Sequence, residues 1–115
     1  MTTIIWHNPR CSKSRQTLAL LEEQGVTPTI RLYLEDPPSA SEIRDVVAKL
    51  GITPWDLLRR GEKLFKELGL TQQDDEQTII EAMASHPILI ERPIVVRDAK
   101  AVLGRPPENA LTLVD

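Results

Sequence analysis

Thr3-Ile4-Ile5-Trp6-His7-Asn8-Pro9-Arg10-Cys11-Ser12-Lys13-Ser14-Arg15 is the stretch on which the fold turns. Thr3 to Trp6 is short, apolar and rich in β-branched residues, the composition of a buried strand. His7-Asn8-Pro9 breaks it, because proline has no amide proton and restricts the residue before it. A helix is predicted from about Ser12 to Gln24, with Leu18, Leu20 and Leu21 as its apolar positions and Gly25 as its stop. Cys11 therefore sits where a strand gives way to a helix N-terminus.

Downstream, Arg31 and Tyr33 alternate with Ile30, Leu32 and Leu34, which is the period of a strand, and Glu35-Asp36-Pro37-Pro38 is a turn. Ser39-Ala40-Ser41-Glu42 is a capping box for a helix with Ile43, Val46, Val47 and Leu50 on one face, ended by Gly51. Thr53-Pro54 starts another helix. Leu64, Phe65 and Leu68 mark a short one, and Ile79, Ile80 and Met83 mark a further one ending before His86-Pro87. Ile94-Val95-Val96 and Ala101-Val102-Leu103 flank a turn at Asp98 and read as a hairpin. Pro106-Pro107 begins a last short helix.

The order β-α-β, several helices, β-β-α predicts an α/β fold with a parallel opening pair and a closing hairpin. That is the thioredoxin-like arrangement: a small mixed β-sheet flanked by helices, with a helical insertion between the second and third strands. Arg92-Pro93 stands immediately before the third strand, where that fold places a cis-proline facing the active thiol.

The totals agree with one compact domain over residues 1–115. The composition, 41% apolar and 27% charged with a net charge of −3, argues against a whole-surface nucleic-acid or membrane role. No Asp or Glu precedes Glu22, while Arg10, Lys13 and Arg15 do, so the surroundings of Cys11 are locally basic. A single cysteine forbids an internal disulfide, and no apolar run suits a signal peptide or a membrane span. The expectation is a cytoplasmic protein, and nothing in the sequence calls for more than a monomer.

Cys11 is the candidate reactive group. A thiol attacks only as thiolate, and a helix N-terminus with nearby cations favours the anion. A Cys-based phosphatase loop needs C-x5-R, but Thr17 stands at the Arg position. A dithiol site needs C-x-x-C, but Ser14 stands at the second Cys. One Cys and two distant His make no metal site. The site is thus a one-thiol site, and any resolving thiol must come from another molecule. Arg59, Arg92 and Arg105 stand beside structural landmarks, and guanidinium forks suit tetrahedral oxyanions. Surface ion pairing is the plainer reading, with Asp56 available to Arg59 and Glu91 beside Arg92.

His7-Asn8-Pro9-Arg10-Cys11-Ser12-Lys13-Ser14-Arg15 resembles the active-site segment of the glutaredoxin-linked arsenate reductase family, which reads H-N-P-x-C-x-x-S-R. Leu32-Tyr33-Leu34-Glu35-Asp36-Pro37-Pro38, Glu91-Arg92-Pro93-Ile94-Val95-Val96 and Gly104-Arg105-Pro106-Pro107-Glu108 look like that family too, in order along nearly the whole chain. The resemblance implies that Cys11 attacks arsenate to form a thiol–arsenate adduct, that glutathione then displaces into it, and that glutaredoxin releases arsenite. It implies Arg59, Arg92 and Arg105 as the oxyanion holders, with Arg60 a possible substitute for Arg59. His7, Asn8, Ser14 and Arg15 would be supporting residues that shape the loop. No cofactor is bound in this scheme; glutathione is a co-substrate. Ser12-Lys13 replaces the Gly-Thr of the best-known members, and the chain ends at Asp115 where established reductases continue, so it looks most like a short branch of the family.

Two other readings stay open at this point. Spx-type transcription regulators, which bind RNA polymerase, share the fold and a similar Arg-Pro-Ile segment, although many carry the second cysteine that Ser14 replaces here. A glutathione-linked reductase of mixed disulfides or of another oxyanion would keep the thiol and change the substrate.

Overall fold

The computed structural model of the protein describes residues 2–114. The elements run β1 (Thr3–Trp6), α1 (Ser12–Glu23), β2 (Thr29–Arg31), α2 (Ala40–Leu50), α3 (Pro54–Leu57), α4 (Lys63–Leu68), α5 (Glu76–Ser85), β3 (Ile94–Arg97) and β4 (Lys100–Leu103). Short 3₁₀ segments span Pro87–Leu89 and Pro107–Leu113. No helix among the described residues is long and apolar enough to cross a membrane.

The chain forms two compact units. The first comprises the segments up to Asp36 and from Arg92 onward; the second is Pro37–Glu91. In the first, a four-stranded sheet has the order β2-β1-β3-β4. β1 and β2 are parallel, with Ile5 opposite Ile30, while β3 is antiparallel to both β1 and β4. Ile5 and Val95 are cross-strand partners and so share a face of the sheet. Both are fully buried with Leu21 of α1 and Ala110 of the C-terminal 3₁₀ segment, and Leu18, Val26, Val102, Leu113 and Val114 pack around them. Full burial of Ile5, Leu21 and Val95 stabilises the fold by about 1.5–3 kcal/mol each.

The buried face of α1 is Ser14, Thr17 and Leu21, spaced at three and four residues as one helix face requires. Its apolar end closes the core, and its polar end lies toward Cys11. Gly25 stops the helix in the left-handed region, at φ 78°.

The second unit is the predicted helical insertion. Ser39 and Glu42 make their reciprocal capping bonds, and Thr53 and Asp56 make a second set, with Pro54 at the first helical position. Ile43, Val46 and Val47 of α2, Leu57 of α3 and Ile79, Ile80 and Met83 of α5 are buried in helices that pack on one another. Leu58 and Ile90 form an isolated antiparallel bridge.

Four details depart from the sequence reading. β2 stops at Arg31 rather than continuing to Leu34. β1 ends at Trp6, opposite Arg31; His7 N–H still donates to the Arg31 carbonyl at 2.8 Å, and the Leu32 carbonyl accepts from Glu35 and Asp36 N–H in a turn. Tyr33 is thereby buried while Leu34 is exposed. The last helix is 3₁₀ and starts at Pro107. Arg59 lies beyond α3, which ends at Leu57 because Leu58 is drawn into the bridge. Finally, Arg92–Pro93 is cis as expected, but Arg105–Pro106 is cis as well, which the sequence reading did not anticipate.

Replacing Ser39 with Ala removes the α2 cap and is expected to lower the unfolding free energy by about 1 kcal/mol. Urea titration of the two proteins measures this directly; an unchanged midpoint would show that the capping box contributes nothing.

Candidate active site

Cys11 is the N-cap residue of α1, with extended backbone angles and a side chain that makes no capping hydrogen bond. The thiol is half-buried. Its backbone is nonetheless tied down: Cys11 N–H donates to the Asn8 carbonyl, and the Cys11 carbonyl accepts Arg15 N–H, each at 3.0 Å. The first turn of α1 carries no acidic residue, and its leading amides have no partner within the helix.

The residues around the thiol act on the loop. Asn8 Oδ1 accepts Arg10 N–H at 3.0 Å, an Asx turn that shapes the segment before Cys11. Arg15 reaches back to donate to the Pro9 carbonyl at 2.8 Å. Ser14 is completely buried, and its Oγ accepts Asn8 N–H at 3.0 Å while lying 2.6 Å from His7 Nδ1. Burial first, and then the charge of Arg15, hold the His7 imidazole below its ordinary 6.5. A neutral ring offers Nδ1 as an acceptor for the Ser14 hydroxyl proton, so one hydroxyl joins strand end, loop and helix.

Strand register brings the other end of the chain to the same place. Trp6 pairs with Ile94, and Ile94 pairs with Leu103. The chain therefore leaves β1 at His7, enters β3 from Arg92-Pro93 and leaves β4 at Gly104-Arg105, all at one end of the sheet. Gly104 N–H donates to the Pro93 carbonyl at 2.9 Å, and Arg105 Nη1 donates to the Arg92 carbonyl at 3.0 Å. Arg92 is half-buried and Arg105 exposed. Of the predicted site residues, His7, Asn8, Cys11, Ser14, Arg15, Arg92 and Arg105 thus belong to one unit and one end of the sheet.

Arg59 belongs to the second unit. Arg59 N–H donates to the Leu89 carbonyl at 2.7 Å and Glu91 N–H to the Leu57 carbonyl at 2.8 Å, flanking the Leu58–Ile90 bridge. The guanidinium holds Glu62 at 2.5 Å through Nη1 and Glu91 at 3.3 Å through Nε. Its carboxylate partners are therefore Glu62 and Glu91, whereas Asp56, the partner suggested by helical spacing, caps Thr53. Arg60 stacks over the Trp55 ring at 5.1 Å. Thr17 and Gly104 meet beside Pro93, a contact that sequence reasoning missed; the glycine next to Arg105 was its one visible sign.

Residues 6–113 match a family model described as the ArsC family. Over 112 residues the chain is 51% identical to YfgD, an uncharacterized protein of Escherichia coli K12, covering 96% of this chain and 94% of that one. It is 48% identical to an arsenate reductase of Neisseria meningitidis serogroup A, covering 91% and 92% of the two chains. The solved structure of an arsenate reductase from Vibrio cholerae superposes on it with a TM-score of 0.95 at 48% identity, over 98% of each chain.

The lowered imidazole gives a pH dependence of definite sign. The native state takes up the His7 proton less readily than the unfolded chain does, so this contribution is complete above pH 6.5 and is lost as pH falls from 6.5 toward the lowered native value. The difference in urea midpoint between the wild type and His7→Gln is expected to shrink as pH falls through that window. A difference independent of pH would show that His7 is not held neutral by the fold.

Proposed function

The chain belongs to the ArsC family, and from that premise we propose that it reduces arsenate to arsenite, with Cys11 as the nucleophile and with glutathione and glutaredoxin as the reductants. The observation that carries this reading is the uncommitted Cys11 side chain at the N-cap of α1, on the sheet end that also bears Arg92 and Arg105.

The chemistry follows from those positions. The thiolate sulfur of Cys11 attacks arsenic, an S–As bond forms and an arsenate oxygen leaves as water. The sulfur stands at the N-terminal end of α1, where the leading amides have no partner within the helix. Arg92 and Arg105 present guanidinium donors to the remaining oxygens and stabilise their charge. Arg59 already holds two carboxylates, so any share it takes comes by exchanging one of them for a substrate oxygen. His7, Asn8, Ser14 and Arg15 keep the loop in the shape that exposes the sulfur.

A single cysteine cannot close the cycle. Glutathione sulfur displaces a second arsenic-bound oxygen, which leaves as water; a glutaredoxin thiol then takes the glutathione sulfur as a disulfide, leaving its electron pair on arsenic, and water cleaves the Cys11 S–As bond to release arsenite and the thiol. Two thiols become one disulfide, arsenic gains the two electrons, and one water is released overall. A cytoplasm that keeps glutathione reduced suits such a cycle.

Steady-state assay with arsenate, glutathione, glutaredoxin and NADPH-coupled glutathione reductase tests the proposal. Arsenate-saturable, Cys11-dependent NADPH oxidation is expected, with none in a folded Cys11→Ser variant. Arg92→Ala and Arg105→Ala are each expected to lower kcat/KM by about tenfold or more. A wild type inert toward arsenate, or a Cys11→Ser variant that still turns over, would refute the reading.

A further inference from the structure

Gly104 and Thr17 have no part in the chemistry above, yet they join the elements that do. Gly25, Gly51 and Gly69 have positive φ and open space where a Cβ would lie; their glycines satisfy a torsion. Gly104 is the opposite case. Its backbone is ordinary, but a Cβ there would lie 2.5 Å from Thr17 Oγ1, 2.7 Å from Pro93 Cγ and 3.0 Å from Thr17 Cγ2. It is glycine because two other elements approach too closely for a side chain.

Those elements are the two halves of the site. Thr17 is completely buried on the inner face of α1. It lies six residues beyond Cys11, about 9 Å along the helix axis. Its hydroxyl donates to the Lys13 carbonyl at 2.8 Å and lies farther, at 3.4 Å, from the Gly104 carbonyl. Its one proton serves the helix, so Thr17 meets Gly104 chiefly as packed surface. On the other side, Gly104 N–H on the Pro93 carbonyl and Arg105 on the Arg92 carbonyl bind the two arginine segments to each other. Asn109 Nδ2 adds contacts to the Leu103 and Arg105 carbonyls at 3.3 and 3.4 Å. Arg92-Pro93 and Gly104-Arg105 therefore behave as one piece, and that piece touches the thiol's helix where Gly104 meets Thr17.

We infer that the Thr17–Gly104 contact is a positioning contact that sets the spacing between the Cys11 sulfur and the Arg92–Arg105 pair, and through it the affinity for the oxyanion. This rests on the oxyanion reading of the site. Thr17 and Gly104 are positioning residues: they act through α1 and the arginine segments and touch no reacting atom.

A Gly104→Ala variant must move α1 and the arginine segments apart until the new Cβ reaches ordinary contact, a shift of roughly 1 Å, enough to weaken a two-part site by about tenfold or more. The expected result is a rise of that size in the arsenate KM with a smaller change in kcat. The arsenate concentration that half-protects Cys11 from iodoacetamide should rise by the same factor, and the alkylation rate without arsenate should stay within about twofold of wild type. Thr17→Ala, which only loosens the contact, should give a smaller rise, about threefold. The double variant removes two of the three close approaches and should recover part of the Gly104→Ala loss.

Wild-type half-protection in folded Gly104→Ala, or losses that simply add in the double variant, would overturn the inference. Should Gly104→Ala fail to fold, Thr17→Ala decides: an unchanged half-protection concentration rejects the contact's role. A wild type protected by arsenate but unable to reduce it would refute the reductase reading alone, and the protection ratios would still decide this inference. A wild type protected by neither arsenate nor phosphate would overturn this inference and the oxyanion site together.

Discussion

The register of three strands governs everything else in the first unit. Trp6 lies opposite Ile94 and Ile94 opposite Leu103, so the end of β1, the start of β3 and the end of β4 meet at one end of the sheet. A one-residue slip would turn Ile5 and Val95 out of the core they share with Leu21 and Ala110, since side chains alternate along a strand. The hydrophobic core and the site are therefore specified by the same pairing. The core selects the register, and the register delivers Arg92, Pro93, Gly104 and Arg105 to the end where Cys11 begins its helix.

Around Cys11 the polar groups divide their labour sharply. Ser14, Asn8, His7 and Arg15 spend their hydrogen bonds on one another and on the loop backbone, and none of those bonds goes to the sulfur. The two buried members, His7 and Ser14, satisfy each other's polar atoms, which is the condition for burying them. The sulfur is left to the helix N-terminus and to whatever enters. Holding His7 neutral belongs to the same arrangement, because a cationic ring could not accept the Ser14 proton at Nδ1.

The second unit has its own logic. Two capping boxes and the Leu58–Ile90 bridge define it, and Arg59 ties the segment after α3 to the unit's last residue by holding Glu62 and Glu91. A guanidinium that already faces two carboxylates offers an incoming anion less than its formal charge suggests.

Local rules read from the sequence hold wherever the deciding physics is local. The Ser39–Glu42 box, the Pro54 helix start, the Gly25 and Gly51 stops, the hairpin about Asp98 and the placing of Cys11 at a helix N-terminus all depend on residues within a few positions of one another. The family-bearing segments around Cys11, Arg92 and Arg105 were legible for the same reason. What the sequence could not decide are contacts between residues distant along the chain. β2 is cut short at Arg31 by the end of its partner strand, Arg59 takes Glu91 rather than Asp56, and Gly104 packs on Thr17 across 87 positions. Each of these depends on how completed elements approach in space, and only the tertiary structure sets that approach.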